Sequence, residues 1–259
     1  MCSSDLKLEK ASEAGGSEGP VWDGKDTLYF TGKGRIFRLT PNGKTEVFRD
    51  TETAGGPNGL LFDRDHRLVA CEAGNRRVTR TEPNGAITIL AATFEGQKFN
   101  SPNDLTMDTK GRIYFSDPRY GNRANMEMSV EGVYRIDAPG VVTRILSRDL
   151  VDRPNGLLVS PGDRYLYVAD NDNNNTGAPR TLWRFNLRPD GSVDGKSRKR
   201  IYDWGNGRGP DGMEMDAKGR LFVAGGLNKA HPPHETAEKD RKSTRLNSSH
   251  ITISYAVFC

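Results

Sequence analysis

Short apolar segments alternate with turns along most of the chain, and they recur in groups of four. In the first group the alternation predicts strands at residues 21–23, 28–30, 35–39 and 45–48. Period-2 patterning, with an Asn-Gly corner at Asn42-Gly43, is typical of strands joined by hairpins. The same plan returns at residues 60–90, 105–146 and 157–202, and its first half returns at 213–223.

Each group opens with a related phrase that has an acid or an amide at its centre. The copies are Gly56-Pro57-Asn58-Gly59-Leu60, Ser101-Pro102-Asn103-Asp104-Leu105, Arg153-Pro154-Asn155-Gly156-Leu157, Gly209-Pro210-Asp211-Gly212-Met213 and the looser Ser17-Glu18-Gly19-Pro20-Val21. Counted from Glu18, the central residues are spaced by 40, 45, 52 and 56 positions. Four-stranded units at such a period are typical of propeller blades.

We therefore expect an all-β fold, a six-bladed β-propeller that this chain leaves truncated after about four and a half blades. The propeller is predicted to occupy residues 7–240. Residues 1–6 and 241–259 break the repeat and read as non-native, adapter-derived tails. The alternative is a genuine tail in which residues 250–258 add a strand. No sustained helical periodicity is present, which excludes a helical solenoid.

Composition excludes several classes of protein. The formal charge of +4 includes three basic residues after position 240 that face no acid, and without them 35 basic residues oppose 34 acidic ones. The predicted propeller is thus near neutral and lacks the basic stripe that nucleic-acid binding requires. We expect no membrane span and see no signal peptide in this chain, which leaves a cytoplasmic or a periplasmic location open. The three cysteines form no metal motif, and Cys71 is predicted to be a buried thiol.

The topology of such blades brings the phrases to one end of the fold, together with the long loops at 117–131 and 170–180. Carboxylate and amide oxygens converging there suit calcium, whereas the absence of His and Cys disfavours zinc. The first and last phrases carry acids at what reads as the same point. The alternative interpretation is turn chemistry, in which each Asn caps its own backbone.

These motifs, with Tyr114-Phe115-Ser116-Asp117-Pro118, resemble those of the gluconolactonase, senescence marker protein and luciferin-regenerating enzyme superfamily from about Lys7 to Asp240. The resemblance implies a propeller lactonase with a divalent cation, usually calcium, at the mouth of the channel. It also implies the metal ligands Glu18, Asn103, Asn155 and Asp211.

By the same resemblance Asp211 is the expected catalytic base as well as a ligand. Asn58, Asp104 and Asp117 are candidates to bind the substrate or to orient the ligands. Glu72 and Asp170 end second strands at the same face, where they serve either function or loop capping.

The sequence thus predicts a calcium-dependent hydrolase acting on a sugar lactone. One alternative is a propeller that only binds, with a structural ion or none. The other is a paraoxonase-like or phosphotriesterase-like hydrolase on the same scaffold.

Overall fold

The computed structural model describes residues 18–172, 175, 177–207, 209–225 and 255–258, together with residues 12 and 14. Within these residues the chain forms antiparallel β-strands and a single helix of four residues. No helix in this described part is long and apolar enough to cross a membrane. The prediction of an all-β fold is confirmed.

Consecutive strands pair in hairpins, and four such strands make a complete sheet in the described part of the chain. The first sheet contains β1 (Glu18–Trp22), β2 (Leu28–Gly32), β3 (Arg35–Leu39) and β4 (Thr45–Arg49). After helix α1 (Thr51–Ala54), the second sheet contains β5 (Pro57–Phe62), β6 (Leu68–Glu72), β7 (Arg77–Thr81) and β8 (Ile87–Ala91).

A two-stranded hairpin then precedes the remaining sheets. It consists of β9 (Thr93–Phe94) and β10 (Gln97–Lys98). The third sheet contains β11 (Leu105–Met107), β12 (Ile113–Asp117), β13 (Gly132–Ala138) and β14 (Val141–Leu146). The fourth contains β15 (Pro154–Val159), β16 (Tyr165–Asn171), β17 (Arg180–Leu187) and β18 (Val193–Asp203). The fifth contains β19 (Pro210–Met215), β20 (Leu221–Gly225) and β21 (Tyr255–Phe258).

The apolar core lies between successive sheets. Each of four clusters joins two neighbouring sheets, with representative buried pairs Ile36 and Leu60, Val69 and Phe115, Val133 and Leu166, and Leu158 and Val223. The apolar residues predicted from the alternation therefore pack one sheet on the next. This is the way in which blades of a propeller pack around an axis.

The first strands of successive sheets approach each other closely at the phrases. The amide of Gly59 donates to the carbonyl of Asn103 at 2.7 Å. A Cβ atom on Gly156 would lie 2.0 Å from the carbonyl oxygen of Asp211, so only glycine fits there. Neighbouring phrases consequently lie side by side at one end of the fold.

The predicted groups of four strands are confirmed, with three differences. Helix α1 and the β9–β10 hairpin were not predicted, and β18 begins at Val193 although only residues 200–202 were expected to form a strand. The end strand β21 pairs with β20. This pairing does not decide between a genuine and an adapter-derived tail. Residues 1–6 and the rest of 241–259 lie outside the described residues, and their origin stays a prediction.

Candidate functional site

The central residues of the phrases lie in β-bulges. In the second, fourth and fifth sheets the first strand advances three residues while its neighbour advances two. Asn58, Asn155 and Asp211 are among the residues that this shift leaves without a cross-strand partner. A bulge redirects side chains away from the regular pleat. The backbone thus aims three polar side chains differently from the apolar residues that follow them.

Glu18 precedes a glycine that packs against the next phrase, as Asn155 does. A Cβ atom on Gly19 would lie 2.3 Å from the carbonyl oxygen of Asn58, just as one on Gly156 would lie 2.0 Å from that of Asp211. In the first sheet the bulge lies between Glu18 and Val21. The match between Glu18 and the central residues of the other phrases stays a prediction.

Three carboxylates at this end influence one another. Packing among protein atoms, followed by the charges of Asp211 and Asp104, raises the pKa of Glu18 well above its usual range. Part of Glu18 is exposed, so water weakens this repulsion without removing it. Glu18 belongs to the first sheet and Asp211 to the fifth. The interaction therefore links the first and the last of the described sheets.

Asp211 has a nearby amide partner. Burial raises its pKa to about 6, while a hydrogen bond from Asn155 acts in the opposite direction. Asn155 is only 7% exposed, and its Nδ2 atom also donates to the hydroxyl of Tyr120 at 3.1 Å. Glu18, Asn155 and Asp211, predicted from widely separated phrases, thus meet in one region.

Asp104 occupies the phrase position that is glycine in the second, fourth and fifth sheets. Its Oδ2 atom accepts from the amide of Leu157 at 2.9 Å, which links the third sheet to the fourth. Burial raises its pKa to about 7, to which the charge of Asp211 contributes, whereas the Leu157 hydrogen bond lowers it. Asp104 therefore lies beside the other two carboxylates.

Asn103 and Asn58 are placed by their backbones. The amide of Asn103 donates to Ser116 O at 2.9 Å, and the carbonyl of Asn58 accepts from the hydroxyl of Thr31 at 3.0 Å. These bonds hold both residues at the end of the sheets where the phrases lie. The roles expected for their side chains stay predictions.

Asp117 and Asp170 bind the backbone of the phrases. Asp117 is fully buried, and its two oxygens accept from the amides of Asn100 and Ser101, each at 2.7 Å. Asp170 in the same way accepts from the amides of Asp152 and Arg153. Both acids hold the segment that enters the first strand of their own sheet. For Asp117 these contacts favour an orienting role over direct contact with a substrate.

Glu72 takes the equivalent position in the second sheet and lies in a network of donors. Its carboxylate is fully buried and receives Arg49 Nη2 and Arg77 Nε, both at 2.6 Å, and Thr79 Oγ1 at 2.7 Å. Burial opposes ionisation, but these hydrogen bonds lower the pKa of Glu72 below its usual value. The contacts agree with the structural alternative for this residue.

The donor set fits a hard cation better than a soft one. The described residues contain no group of three or more His, Cys, Asp or Glu side chains arranged to hold a metal. A cation here would depend on Glu18 and Asp211 together with amide oxygens and water, which is a ligand set that calcium accepts. Burial and then the charges of Asp211 and Asp104 raise the pKa of Glu18, and a divalent charge would favour its ionised form. The residues present therefore fit such an ion.

Sequence reasoning missed Tyr120 and Arg153. The guanidinium of Arg153 lies over the ring of Tyr120, 5.6 Å from its centroid, and Arg153 forms an ion pair with Asp172 at 2.8 Å. Arg153 and Asp172 also line a polar cleft of about 200 Å³, whose walls do not include Glu18 or Asp211. The available signal was the position of Tyr120 in the loop 117–131 that was expected to flank the site.

Comparison with known proteins gives a consistent result across most of the chain. Residues 16–252 match the family model described as the SMP-30/Gluconolactonase/LRE-like region. A gluconolactonase of Zymomonas mobilis is 31% identical over 239 residues, which are 83% of this chain and 65% of that protein. The chain thus spans just under two thirds of the length of this curated relative.

Solved structures show the same relationship. The gluconolactonase of Xanthomonas campestris superposes with a TM-score of 0.71 at 30% identity, covering 84% of this chain and 72% of that one. Regucalcin of Agrobacterium tumefaciens, a calcium-binding protein, superposes with a TM-score of 0.60 at 20% identity and covers 83% of this chain and 69% of that one. At the lower identity the likeness concerns the fold.

Proposed function

Because the chain belongs to the SMP-30/Gluconolactonase/LRE-like family, we propose that it is a metal-dependent lactonase that opens a sugar lactone. The observation that carries the proposal is the meeting of Glu18, Asn155 and Asp211 at one end of the fold. The names of the Zymomonas and Xanthomonas relatives support the choice of reaction.

The proposed ligands of the cation are Glu18, Asn103, Asn155 and Asp211, and the proposed ion is calcium. When bound, a divalent cation supplies Lewis-acid polarisation of a carbonyl and favours deprotonation of water. Glu18 and Asp211 contribute two negative charges, and the asparagines contribute neutral oxygens. The two carboxylates therefore balance one divalent ion while leaving room for water and substrate.

Asp211 is the proposed base. It accepts a proton from the water whose oxygen attacks the lactone carbonyl carbon, and the ring C–O bond then breaks as its oxygen takes up a proton. The pKa of about 6 in the structure without an ion leaves Asp211 mostly ionised at neutral pH. Contact with a cation makes this carboxylate a weaker base, so its role as a ligand and its role as a base oppose each other.

Asn58 and Asp104 are proposed to hydrogen-bond the substrate. Asp104 lies near Glu18 and Asp211, and the backbone amides of Leu157 and Leu105 hold its carboxylate at this end of the fold. Asp117 is proposed to orient the third phrase, since both of its oxygens accept backbone amides. We further infer a six-bladed propeller, of which the described residues form four four-stranded sheets and three strands of a fifth.

Hydrolysis of gluconolactone by the 259-residue chain tests the proposal. Acid release is measured after treatment with EDTA and again after calcium is restored, with Asp211→Asn as the matched variant. We expect activity that EDTA abolishes and calcium restores, and none in the variant. Calcium binding without turnover would favour a binding module, and turnover only of aryl esters or organophosphates would favour the other hydrolases of this scaffold.

A further inference from the structure

Tyr120 connects two sheets through a single hydroxyl group. The residue lies in the loop between β12 and β13 of the third sheet, while both of its hydrogen-bond partners belong to the fourth sheet. Its hydroxyl donates to the carbonyl oxygen of Asn171 at 2.9 Å and accepts from Asn155 Nδ2 at 3.1 Å. The tyrosine therefore touches a proposed ligand without being one.

The directions of these two bonds fix the orientation of the Asn155 amide. A phenol has one hydrogen to donate, and a backbone carbonyl can only accept. The hydrogen of Tyr120 is thus committed to Asn171 O, so the phenol oxygen can only accept from Asn155. If the amide were flipped, its Oδ1 atom would face the phenol oxygen with no hydrogen between them. The preferred orientation keeps Nδ2 on Tyr120, with Asp211 as a second acceptor of the same amide group, and directs Oδ1 away from both.

The tyrosine is held firmly enough to act in this way. Arg153 covers its ring, and the carbonyl of Arg153 accepts from the amide of Asn171, the residue whose own carbonyl receives the hydroxyl. On the loop side, Arg119 Nη1 donates to the carbonyl of Asn100 at 2.9 Å. The loop that carries Tyr120 is thus bound next to the third phrase, and Asn171, which accepts the hydroxyl, is bound within the fourth sheet.

We propose that Tyr120 is a positioning residue, which locks the Asn155 amide so that Oδ1 is the atom presented to the cation. This inference rests on the cation of the proposed function, but it names a residue outside the proposed ligand set. It also gives the loop 117–131 a defined part in the site. A partner that orients a ligand in this way commonly changes metal affinity by roughly 10- to 100-fold.

The test compares Tyr120→Phe with Tyr165→Phe in the full chain. The first change removes only the hydroxyl and retains the ring under Arg153. The control, Tyr165, also lies against an arginine, with Arg184 4.1 Å from its ring centroid. It begins β16, whereas Asn171 ends it, so the control lies roughly 20 Å from the site along the strand.

Calcium affinity, measured by isothermal titration, is the first readout. We expect Tyr120→Phe to bind calcium roughly 10-fold more weakly than the unchanged chain, and Tyr165→Phe to bind it equally well. The melting temperature of each variant is recorded to show that it is folded. Equal affinity of folded Tyr120→Phe and the unchanged chain would overturn the proposal.

The side-chain amide resonance of Asn155, recorded without metal on isotope-labelled protein and assigned with Asn155→Ala, is the second readout. We expect Tyr120→Phe to shift this signal and to speed its hydrogen exchange, and Tyr165→Phe to leave it unchanged. If the unchanged chain binds no calcium, the metal-dependent function is refuted. The amide signal still decides the role of Tyr120, because an unaltered signal in Tyr120→Phe refutes positioning.

Discussion

Two sets of buried or partly buried acids lie at the same end of the sheets and differ in their partners. Burial raises the pKa values of the inner acids, Glu18, Asp104 and Asp211, and the charge of Asp211 raises those of Glu18 and Asp104 further. The outer acids, Glu72, Asp117 and Asp170, accept hydrogen bonds from backbone amides or arginines of their own sheet or its neighbours. Acids at the same end of the sheets thus differ in the groups that surround them.

This difference separates a binding site from a structural one. The outer acids have already found donors, so a ligand placed there would have to displace them at a cost. Among the inner acids, Asp104 and Asp211 also accept hydrogen bonds, but Glu18 lies near both of their charges. A cation between Glu18 and Asp211 would relieve the repulsion between these two acids. The balance of partners, rather than the residue type, assigns chemistry to the inner set.

Loss of charge at Glu72 is expected to have the largest effect on stability. In Glu72→Gln the buried guanidinium of Arg49 loses its carboxylate, which should lower the free energy of unfolding by about 3–5 kcal/mol. Urea denaturation measures this, with Glu46→Gln in the surface pair with Arg38 as the control, expected to cost about 1 kcal/mol or less. Equal costs for the two variants would show that the outer network does not stabilise the fold.

Removal of the carboxylate at Asp170 is expected to have an intermediate effect. Asp170→Ala leaves the amides of Asp152 and Arg153 and the indole of Trp183 without their acceptor. Unfolding free energy should fall by about 1–3 kcal/mol, while the calcium affinity of the folded protein stays the same. Asp65→Ala, at an exposed site, is the control. A large loss of calcium affinity in Asp170→Ala would place this outer acid in the binding set.

Raised pKa values in both sets of acids make the stability of the fold depend on pH. The pKa values of about 7 for Asp104 and Asp117 and about 6 for Asp211 exceed the ordinary value of 3.8. Between about pH 4 and pH 7 the folded chain therefore binds more protons than the unfolded chain, and its stability falls as the pH rises.

Each such group contributes at most about 1.4 kcal/mol per pH unit. Urea unfolding in EDTA at pH 5, 6 and 7 measures the slope. Calcium should reduce the part of this slope that comes from Asp211, an inner acid. The part that comes from Asp117, an outer acid, should stay the same. A stability that rises over this range would contradict the raised pKa values.

The sequence predicted much of the fold because its signals are local and repeated. Period-2 alternation and turn residues located the strands, and the repeated phrases located the end of the sheets where the polar residues gather. The same signals could not show the bulge, because it arises from pairing between strands. In the first sheet the bulge begins after Glu18, whereas in the fifth sheet it includes Asp211, and the two phrases do not reveal this difference.

The contacts of the candidate site were harder to predict than the strands. Tyr120 belongs to a loop of the third sheet and reaches Asn155 in the fourth, a contact for which the sequence gives no periodic signal. Asp117 and Asp211 are both acids near a phrase, and only their partners distinguish a residue that holds backbone amides from one that faces another carboxylate. Tertiary packing decided these roles.

Calcium titration of the 259-residue chain by calorimetry tests the central assignment most directly, alongside Glu18→Gln and Asp170→Asn. We predict one calcium ion bound by the unchanged chain, affinity reduced by at least roughly 10- to 100-fold in Glu18→Gln, and affinity retained in Asp170→Asn. Binding that survives the loss of Glu18 and disappears with that of Asp170 would contradict the assignment of the inner acids as the cation site.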